Sequence, residues 1–222
     1  MISLDYEFHF PIQSKLTSEE FDVLKKAALP RNIKKGTILQ AGQSECHGLF
    51  LVRNGQLRAY TTNSEREITL YRLLEDDLCL FSASCIMNNL QFDIYIEAME
   101  NTDVWVIKAD LYKKLMESSV TIANYTNELM ASRFSEVMWL FEQVMFYSFD
   151  KRLANFLQNE VSISGSNLLT MTHEEIANHL GSAREVVTRM LKHFQTDHIV
   201  RLSRGSIEII DSKKLNDMCS HS

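Results

Sequence analysis

The chain has 222 residues, of which 45% are hydrophobic and 23% are charged, and its formal net charge at pH 7 is −6. This composition suits a packed globular protein of one large or two modest domains, and the negative charge argues against a protein that coats nucleic acid generally. No apolar run approaches the roughly 20 residues that cross a bilayer, and the first residues lack the basic start and apolar middle of a signal peptide. We therefore expect a cytoplasmic protein that has no membrane partner.

The residue patterns that mark enzymes and metal proteins are missing. The four cysteines are too few for a disulfide scaffold, and no two of them form a C-x-x-C pair. The sequence contains no nucleophile–base motif, no Walker loop and no metal-ligand spacing. We therefore expect no enzyme activity, no catalytic residue and no metal site.

Charge is distributed unevenly along the chain. Residues 151–222 include nine basic and eight acidic residues, whereas residues 1–150 include 14 and 21. An acidic first part joined to a near-neutral second part predicts two modules with different partners.

The first module begins with a helix and continues as short strands. "TSEEFDVLKKAAL" predicts a helix with a capping box, in which Thr17 is the N-cap and Glu20 stands at N3. Glycines at positions 36, 42, 48 and 55 then recur every six or seven residues. The β-type runs between and after them are "TILQA", "LFLVRN", "QLRAYTT", "EITLYRLL", "FDIYIEAM" and "DVWVIKA". Short strands separated by turn glycines indicate an antiparallel barrel or roll.

The middle of the chain predicts a short helix followed by a long one. No glycine or proline occurs between Gly55 and Gly165, and residues 109–148 have helical character throughout. An apolar stripe at helical spacing consists of Met130, Phe134, Val137, Phe141 and Val144, with Ile122 and Leu129 as extensions. One small domain cannot cover so long a helix, so the stripe predicts a homodimer through it.

The last module contains two helices that begin ten residues apart. "KRLANFLQNEVS" is helical and "ISGSN" is predicted as a loop. Within "TMTHEEIANHLGSAREVVTRMLKHFQ", Thr172 with Glu175 predicts one capping box, and Ser182 with Glu185 predicts a second. The inward positions are Ile176, Ala177 and Leu180 in the first helix, and Val187, Met190, Leu191 and Phe194 in the second. This arrangement, with a turn at Gly181, is a helix-turn-helix.

The outward face of the second helix has the chemistry of a DNA reader. Arginine binds guanine through two hydrogen bonds, and glutamate accepts from cytosine, although Glu185 could equally serve as a helix cap. "HIVRLSRGSIEIID" predicts a hairpin, or wing, whose tip residues Arg204 and Ser203 are placed to contact phosphate. The predicted DNA-binding residues are Thr172, His173, Ser182, Arg184, Glu185, Thr188, Arg189, Lys192 and Arg204.

These motifs resemble the Crp/Fnr superfamily of bacterial transcription regulators over nearly the whole chain. "KKGTILQAGQSECHGLFLVRNGQLRAY" resembles the family's cyclic-nucleotide-binding fold, and "GSAREVVTRMLKHF" resembles its recognition helix. Ala183 departs from the pattern, because many members have a phosphate-contacting serine there. The resemblance implies an α+β chain with an antiparallel β-roll in residues 1–110, a dimerisation helix region in 111–148 and a winged helix-turn-helix in 149–222. It also implies a homodimer that binds a pseudo-palindromic site in double-stranded DNA and works with RNA polymerase.

The segment Leu73–Asn89 stands where cyclic-nucleotide members of the family hold a phosphate. Those members use a glycine-rich turn and an arginine, but no glycine or arginine occurs between Arg72 and Arg133. Nothing there neutralises a phosphate, so cyclic AMP is disfavoured and no cofactor is predicted. We predict a remodelled pocket wall for an unidentified small-molecule effector, with Leu80, Ser82, Ala83, Ser84 and Met87 as contacts.

The cysteines and histidines bear on three other sensor chemistries: an iron–sulfur cluster, a disulfide and a haem. The family's iron–sulfur branch uses an N-terminal cysteine cluster, whereas the first cysteine here is Cys46. Cys79 and Cys85 are either packing residues or a reversible disulfide, and Cys46 could also pair with either one. A haem could use His9, His47 or the cysteines as axial ligands. The alternative to a DNA-binding regulator is a sensory or regulatory subunit that does not bind DNA, which the complete helix-turn-helix disfavours.

Overall fold

The computed structural model describes residues 7–41, 48–63, 66–82 and 93–220. The chain divides into two compact units: Met1–Thr61 with Leu70–Val137 form the first, and Thr62–Thr69 with Met138–Ser222 form the second. None of the helices in the described ranges is both long enough and apolar enough to cross a membrane.

A helix and eight strands begin the chain. Helix α1 (Ser18–Ala27) has the predicted capping box: Thr17 Oγ1 accepts from the Glu20 backbone N–H at 3.2 Å, and Glu20 Oε2 accepts from the Thr17 N–H at 2.8 Å. The strands are β1 (Leu29–Ile33), β2 (Ile38–Ala41), β3 (Leu49–Asn54), β4 (Leu57–Thr62), β5 (Glu67–Leu73), β6 (Leu78–Cys79), β7 (Tyr95–Ala98) and β8 (Thr102–Ile107). All six predicted strands are confirmed, and β1 and β6 are additional.

The strands form two four-stranded antiparallel sheets, in the orders β1-β8-β3-β6 and β2-β7-β4-β5. Alternate side chains of both sheets meet in one buried cluster, which includes Phe50, Val52, Leu57, Ala59, Tyr71, Leu73, Ile96, Ala98 and Val104. Strand β1, "LPRNI", is mostly exposed and forms because it pairs with β8 in the register Leu29↔Val106. Because β1 is held by this long-range pairing, its own sequence lacks the alternation of apolar and polar residues that predicts a strand.

Two helices follow the sheets, as predicted. The short α2 (Ala109–Ser118) and the beginning of the long α3 (Val120–Phe146) pack together, since the buried Tyr112 hydroxyl lies 2.9 Å from Thr126 Oγ1. Ile122 is fully buried in a core with Phe10, Leu24 and Leu49. This end of α3 therefore belongs to the first unit.

The second unit is a helical domain with a small sheet. Its elements are α4 (Phe149–Ser164), β9 (Leu168–Leu169), α5 (His173–Leu180), α6 (Arg184–Thr196), β10 (Val200–Ser203), β11 (Ser206–Ile209) and α7 (Ser212–Ser220). The predicted loop "ISGSN" is wrong at its start, because α4 continues through Ser164 and ends at Gly165 with a φ of +64°. Glycine adopts this left-handed conformation without a Cβ penalty, which is why the helix stops there.

A buried histidine in this unit was not singled out by the sequence. His179 is 5% exposed, and its Nδ1 lies 2.8 Å from Thr69 Oγ1. Its ring is 5.3 Å from that of Phe156, and the neighbouring Leu180 pairs with Ile68 in an antiparallel bridge. His179 is therefore a packing residue with a polar partner.

Candidate DNA-binding site

The helix-turn-helix forms at the predicted residues. Thr172 Oγ1 accepts from the Glu175 N–H at 3.1 Å, and Glu175 Oε2 accepts from the Thr172 N–H at 2.7 Å, so the first capping box is confirmed. Gly181 has a φ of +63°, and its N–H bonds to the Ala177 carbonyl oxygen. Both ends of α5 are thereby fixed by local sequence, and the turn delivers the chain into α6.

Thr172→Ala is expected to destabilise the second unit by about 1 kcal/mol, because it leaves the Glu175 N–H without its cap. Urea unfolding followed by circular dichroism measures this change. Thr196→Ala is the matched control, since the Thr196 hydroxyl donates to the Lys192 carbonyl within α6 and caps no helix N-terminus in the described part of the chain. Equal stabilities of the two variants would contradict a capping role for Thr172.

The second predicted capping box is wrong. The N-cap of α6 is Ala183, which has no side-chain hydrogen bond to the helix. The Ser182 N–H donates instead to the Ala177 carbonyl at 3.0 Å, so Ser182 completes the end of α5. Helix α6 begins one residue later than predicted, and Glu185 stands at its second position rather than its third.

Helix α6 has the two faces that the sequence predicts. Val187, Leu191 and Phe194 are fully buried in the core of the second unit. Arg184, Glu185, Arg189 and Lys192 are exposed, and Thr188 is half-buried. Strands β10 and β11 pair antiparallel beside it, with Arg204 at the exposed turn between them, which confirms the predicted hairpin.

The structure brings four of the predicted DNA-binding residues into one cleft of about 480 Å³. They are Thr172 and His173 from α5 and its cap, Arg184 from α6 and Arg204 from the hairpin tip. The other lining residues are Met171, Glu174, Ser203, Gly205 and Ser206. Ser182, Glu185, Thr188, Arg189 and Lys192 are not among the lining residues.

One histidine connects the two helices at this cleft. His173 Nδ1 lies 2.8 Å from Thr188 Oγ1, and the Thr188 hydroxyl donates to the Arg184 carbonyl oxygen at 2.9 Å. Burial lowers the pKa of His173 below its usual 6.5, and the positive charges of Arg184 and Lys192 lower it further. The lowered pKa favours the neutral imidazole at pH 7 in the free protein.

The predicted effector contacts are only partly within the described residues. Leu80 is 5% exposed, and Ser82 is fully buried. The Ser82 hydroxyl donates to the Cys79 carbonyl at 2.8 Å and accepts from the Phe50 N–H at 3.2 Å, so it connects two strands of one sheet. Ala83, Ser84 and Met87 lie outside the described residues, and an effector contact at any of the five positions stays a prediction.

Cys79 is a fully buried residue of the β-sheet core. Burial raises the pKa of its thiol, and the opposing effects of Ser82 and Arg133 are smaller. A thiol held neutral in this way is a poor nucleophile, which favours the packing interpretation. Cys85 and Cys46 lie outside the described residues, so the disulfide hypothesis stays untested.

Arg133 on α3 is a buried charge that the sequence did not mark as functional. Its side chain is 7% exposed and forms ion pairs of 2.8 Å with both Asp77 and Glu136. Burial alone would lower the pKa of Arg133, but these two carboxylates outweigh it and raise the pKa. The guanidinium lies over the ring of Tyr71, 4.9 Å from its centroid. Within the described ranges, the Tyr71 hydroxyl and Arg133 Nε have no hydrogen-bond partner.

The two units match two known domain families. Residues 30–119 match the cyclic nucleotide-binding domain, and residues 151–218 match the Crp-like helix-turn-helix domain. With the β-roll and the winged helix-turn-helix described above, these matches define a DNA-binding transcription regulator with an N-terminal sensor domain.

Similar proteins identify the family to which the chain belongs. A solved structure from Eubacterium rectale, assigned to the crp/fnr family of transcriptional regulators, is 52% identical, has a TM-score of 0.90, and matches 96% of this chain and 99% of its own. Transcriptional activator protein FnrA of Stutzerimonas stutzeri is 28% identical over 86% of this chain and 79% of its own length. The fumarate and nitrate reduction regulatory protein of Yersinia pestis is 27% identical over 85% and 78%. The chain belongs to the Crp/Fnr family.

Proposed function

We propose that the chain acts in the cytoplasm as a homodimer on a pseudo-palindromic operator. An unidentified small effector or a redox state in the N-terminal domain would set its affinity for DNA. We further propose a sensor domain in residues 1–110, a dimerisation helix region in 111–148 and a DNA-binding domain in 149–222. We also propose RNA polymerase as its protein partner.

The observation that carries the dimer is the exposed apolar face of α3. Phe134, Met138, Phe141 and Met145 follow helical spacing, and each is at least 41% exposed in the single chain. Phe134 and Phe141 are exposed by 67% and 51%. Large apolar side chains in a continuous row are rarely left to solvent, and a second copy of the same helix covers such a row symmetrically.

The buried arginine supports an effector other than a cyclic nucleotide. A cyclic phosphate needs a free cationic group, whereas Arg133 is already paired with Asp77 and Glu136. Those two carboxylates leave the cluster with a net negative charge, which repels an anion. A neutral ligand, or the exchange of one ion pair for another, fits this chemistry better.

The proposed coupling is a shift between two populations of the dimer. An effector bound in the sensor domain would favour one arrangement of the two long helices. That arrangement would set the two recognition helices roughly 34 Å apart, the distance between successive major-groove faces. A ligand can do this only if it binds the DNA-competent arrangement more tightly than the other.

Selection from a random-sequence DNA pool tests the proposal directly. Purified full-length protein, used with and without cell extract, is expected to enrich a motif of two inverted half-sites whose centres lie about 10 base pairs apart or a multiple of that. A protein with Arg184→Ala and Arg189→Ala serves as the control. Enrichment of a single half-site would contradict the dimer, and no enrichment under either condition would favour a sensory subunit that does not bind DNA.

A further inference from the structure

His173 and Thr188 fix the proton positions on one wall of the cleft. Because the Thr188 hydroxyl donates its hydrogen to the Arg184 carbonyl at 2.9 Å, its oxygen is left as an acceptor toward His173 Nδ1 at 2.8 Å. Nδ1 must then be the nitrogen with the hydrogen. In the neutral ring, Nε2 is consequently an acceptor, and it gains an N–H only when the imidazole is protonated.

The groups around His173 favour an anion in the cleft. Arg184 and Arg204 line it together with His173, and Lys192 is close enough to act on the ring electrostatically. The acidic residues nearby are Glu174, which also lines the cleft, and Glu175, whose carboxylate already accepts from the Thr172 N–H at 2.7 Å. Among the described residues, two cations, Arg184 and Arg204, therefore line the cleft with the carboxylate of Glu174, and Lys192 adds positive potential at the His173 ring.

The location indicates which anion this is. His173 begins α5, the first helix of the helix-turn-helix, and in such motifs that helix crosses the DNA backbone while the second enters the groove. The opposite wall is the hairpin tip, with Ser203 and Arg204 exposed. A neutral Nε2 would turn its lone pair toward a phosphate oxygen, and that contact is repulsive.

We infer that His173 binds a backbone phosphate of the DNA as an imidazolium, so that each chain takes up a proton when the complex forms. This inference rests on the proposed function. The direction of the pH dependence follows from the two states. The neutral ring is favoured in the free protein, and the negative charge of the phosphate stabilises the protonated ring in the complex. Affinity therefore rises as the pH falls through the pKa of the complex, and it levels off below the pKa of the free protein.

Fluorescence anisotropy with a labelled duplex tests this at constant ionic strength. A random-sequence duplex of about 30 base pairs at low salt suffices, because a phosphate contact acts on any sequence. Wild-type protein, His173→Gln and His173→Lys are titrated between about pH 5.5 and pH 8.5, the range in which histidine changes charge. His193→Gln is the matched control, since His193 is an exposed residue of α6 paired with Asp197.

The expected result is a pH-dependent ratio of dissociation constants. Relative to His173→Gln, the wild type and the His193→Gln control gain up to about tenfold in affinity per pH unit for each chain as the solution is acidified. His173→Lys binds tightly throughout, because its charge is permanent. Nitrogen NMR of labelled histidine is expected to show protonation of His173 Nε2 when DNA is added.

Two other outcomes would overturn the inference while leaving the proposed function in place. A ratio that is constant with pH would mean that no proton is taken up at His173. A ratio that falls on acidification would mean that neutral Nε2 accepts from a base. If neither wild type nor variants bind any duplex at any pH, with or without added cell extract, the proposed function itself fails, which separates that failure from the other two.

Discussion

Phe141→Glu is expected to convert the protein to a monomer and to lower operator affinity by about 10²–10⁴-fold. Phe141 is 51% exposed in the single chain and belongs to the apolar row on α3. In a symmetric dimer the substitution places a carboxylate from each copy at the same apolar seam, where both desolvation and repulsion oppose association. Without the partner, the two half-sites are bound independently, and the gain from linked binding is lost.

Analytical ultracentrifugation and anisotropy with the selected operator measure the two effects separately. Ser132→Glu is the control, because Ser132 is exposed and nine residues from Phe141, on the opposite side of the helix at 3.6 residues per turn. That variant is expected to remain dimeric and to bind normally. A dimer that survives Phe141→Glu would place the interface elsewhere on the chain.

The elements that could be predicted are those whose signals are local. Thr17 with Glu20 and Thr172 with Glu175 define helix starts because the bonding partners are three residues apart. The amphipathic pattern of α6 likewise needs only its own 13 residues, and Val187, Leu191 and Phe194 are buried as expected. The helix-turn-helix was accessible from sequence for these reasons.

The same rule gave one wrong result where two signals competed. Ser182 and Glu185 have the spacing of a capping box, but the left-handed Gly181 two residues after His179 draws the Ser182 N–H back to Ala177. Ser182 thus belongs to the end of α5, although the sequence pattern assigned it to the start of α6. A closing motif with two backbone hydrogen bonds is favoured over a side-chain cap at this turn.

Features that depend on distant partners had no local signal. Arg133 is buried because Asp77, 56 residues earlier, and Glu136 neutralise it, although a lone arginine in a helix normally predicts an exposed side chain. His179 is buried beside Thr69, which is 110 residues earlier. The His173–Thr188 bond joins two helices, so the sequence could nominate both residues for DNA contact without relating them to each other.

Arg184→Ala is expected to weaken specific DNA binding by about 1–3 kcal/mol for each half-site and to relax the preference at one base position. Arg184 is the first residue of α6, and its side chain is exposed beyond the buried turn that begins at Val187. Truncation removes both hydrogen bonds between the guanidinium and a guanine. The variant therefore no longer prefers guanine over the other three bases at that position. Repeating the selection with the variant should therefore give the same motif with a single degenerate position in each half.

Arg201→Ala separates this effect from the loss of one positive charge. Arg201 lies on β10 in the same unit, is exposed, and pairs with Glu208 at 2.7 Å. Its removal should leave the motif unchanged and affect binding weakly, because exposed ion pairs and distant charges are screened by salt. If Arg184→Ala weakens all duplexes equally and the motif stays sharp, Arg184 binds phosphate, and base recognition moves to Glu185, Thr188 and Arg189 on the same helix.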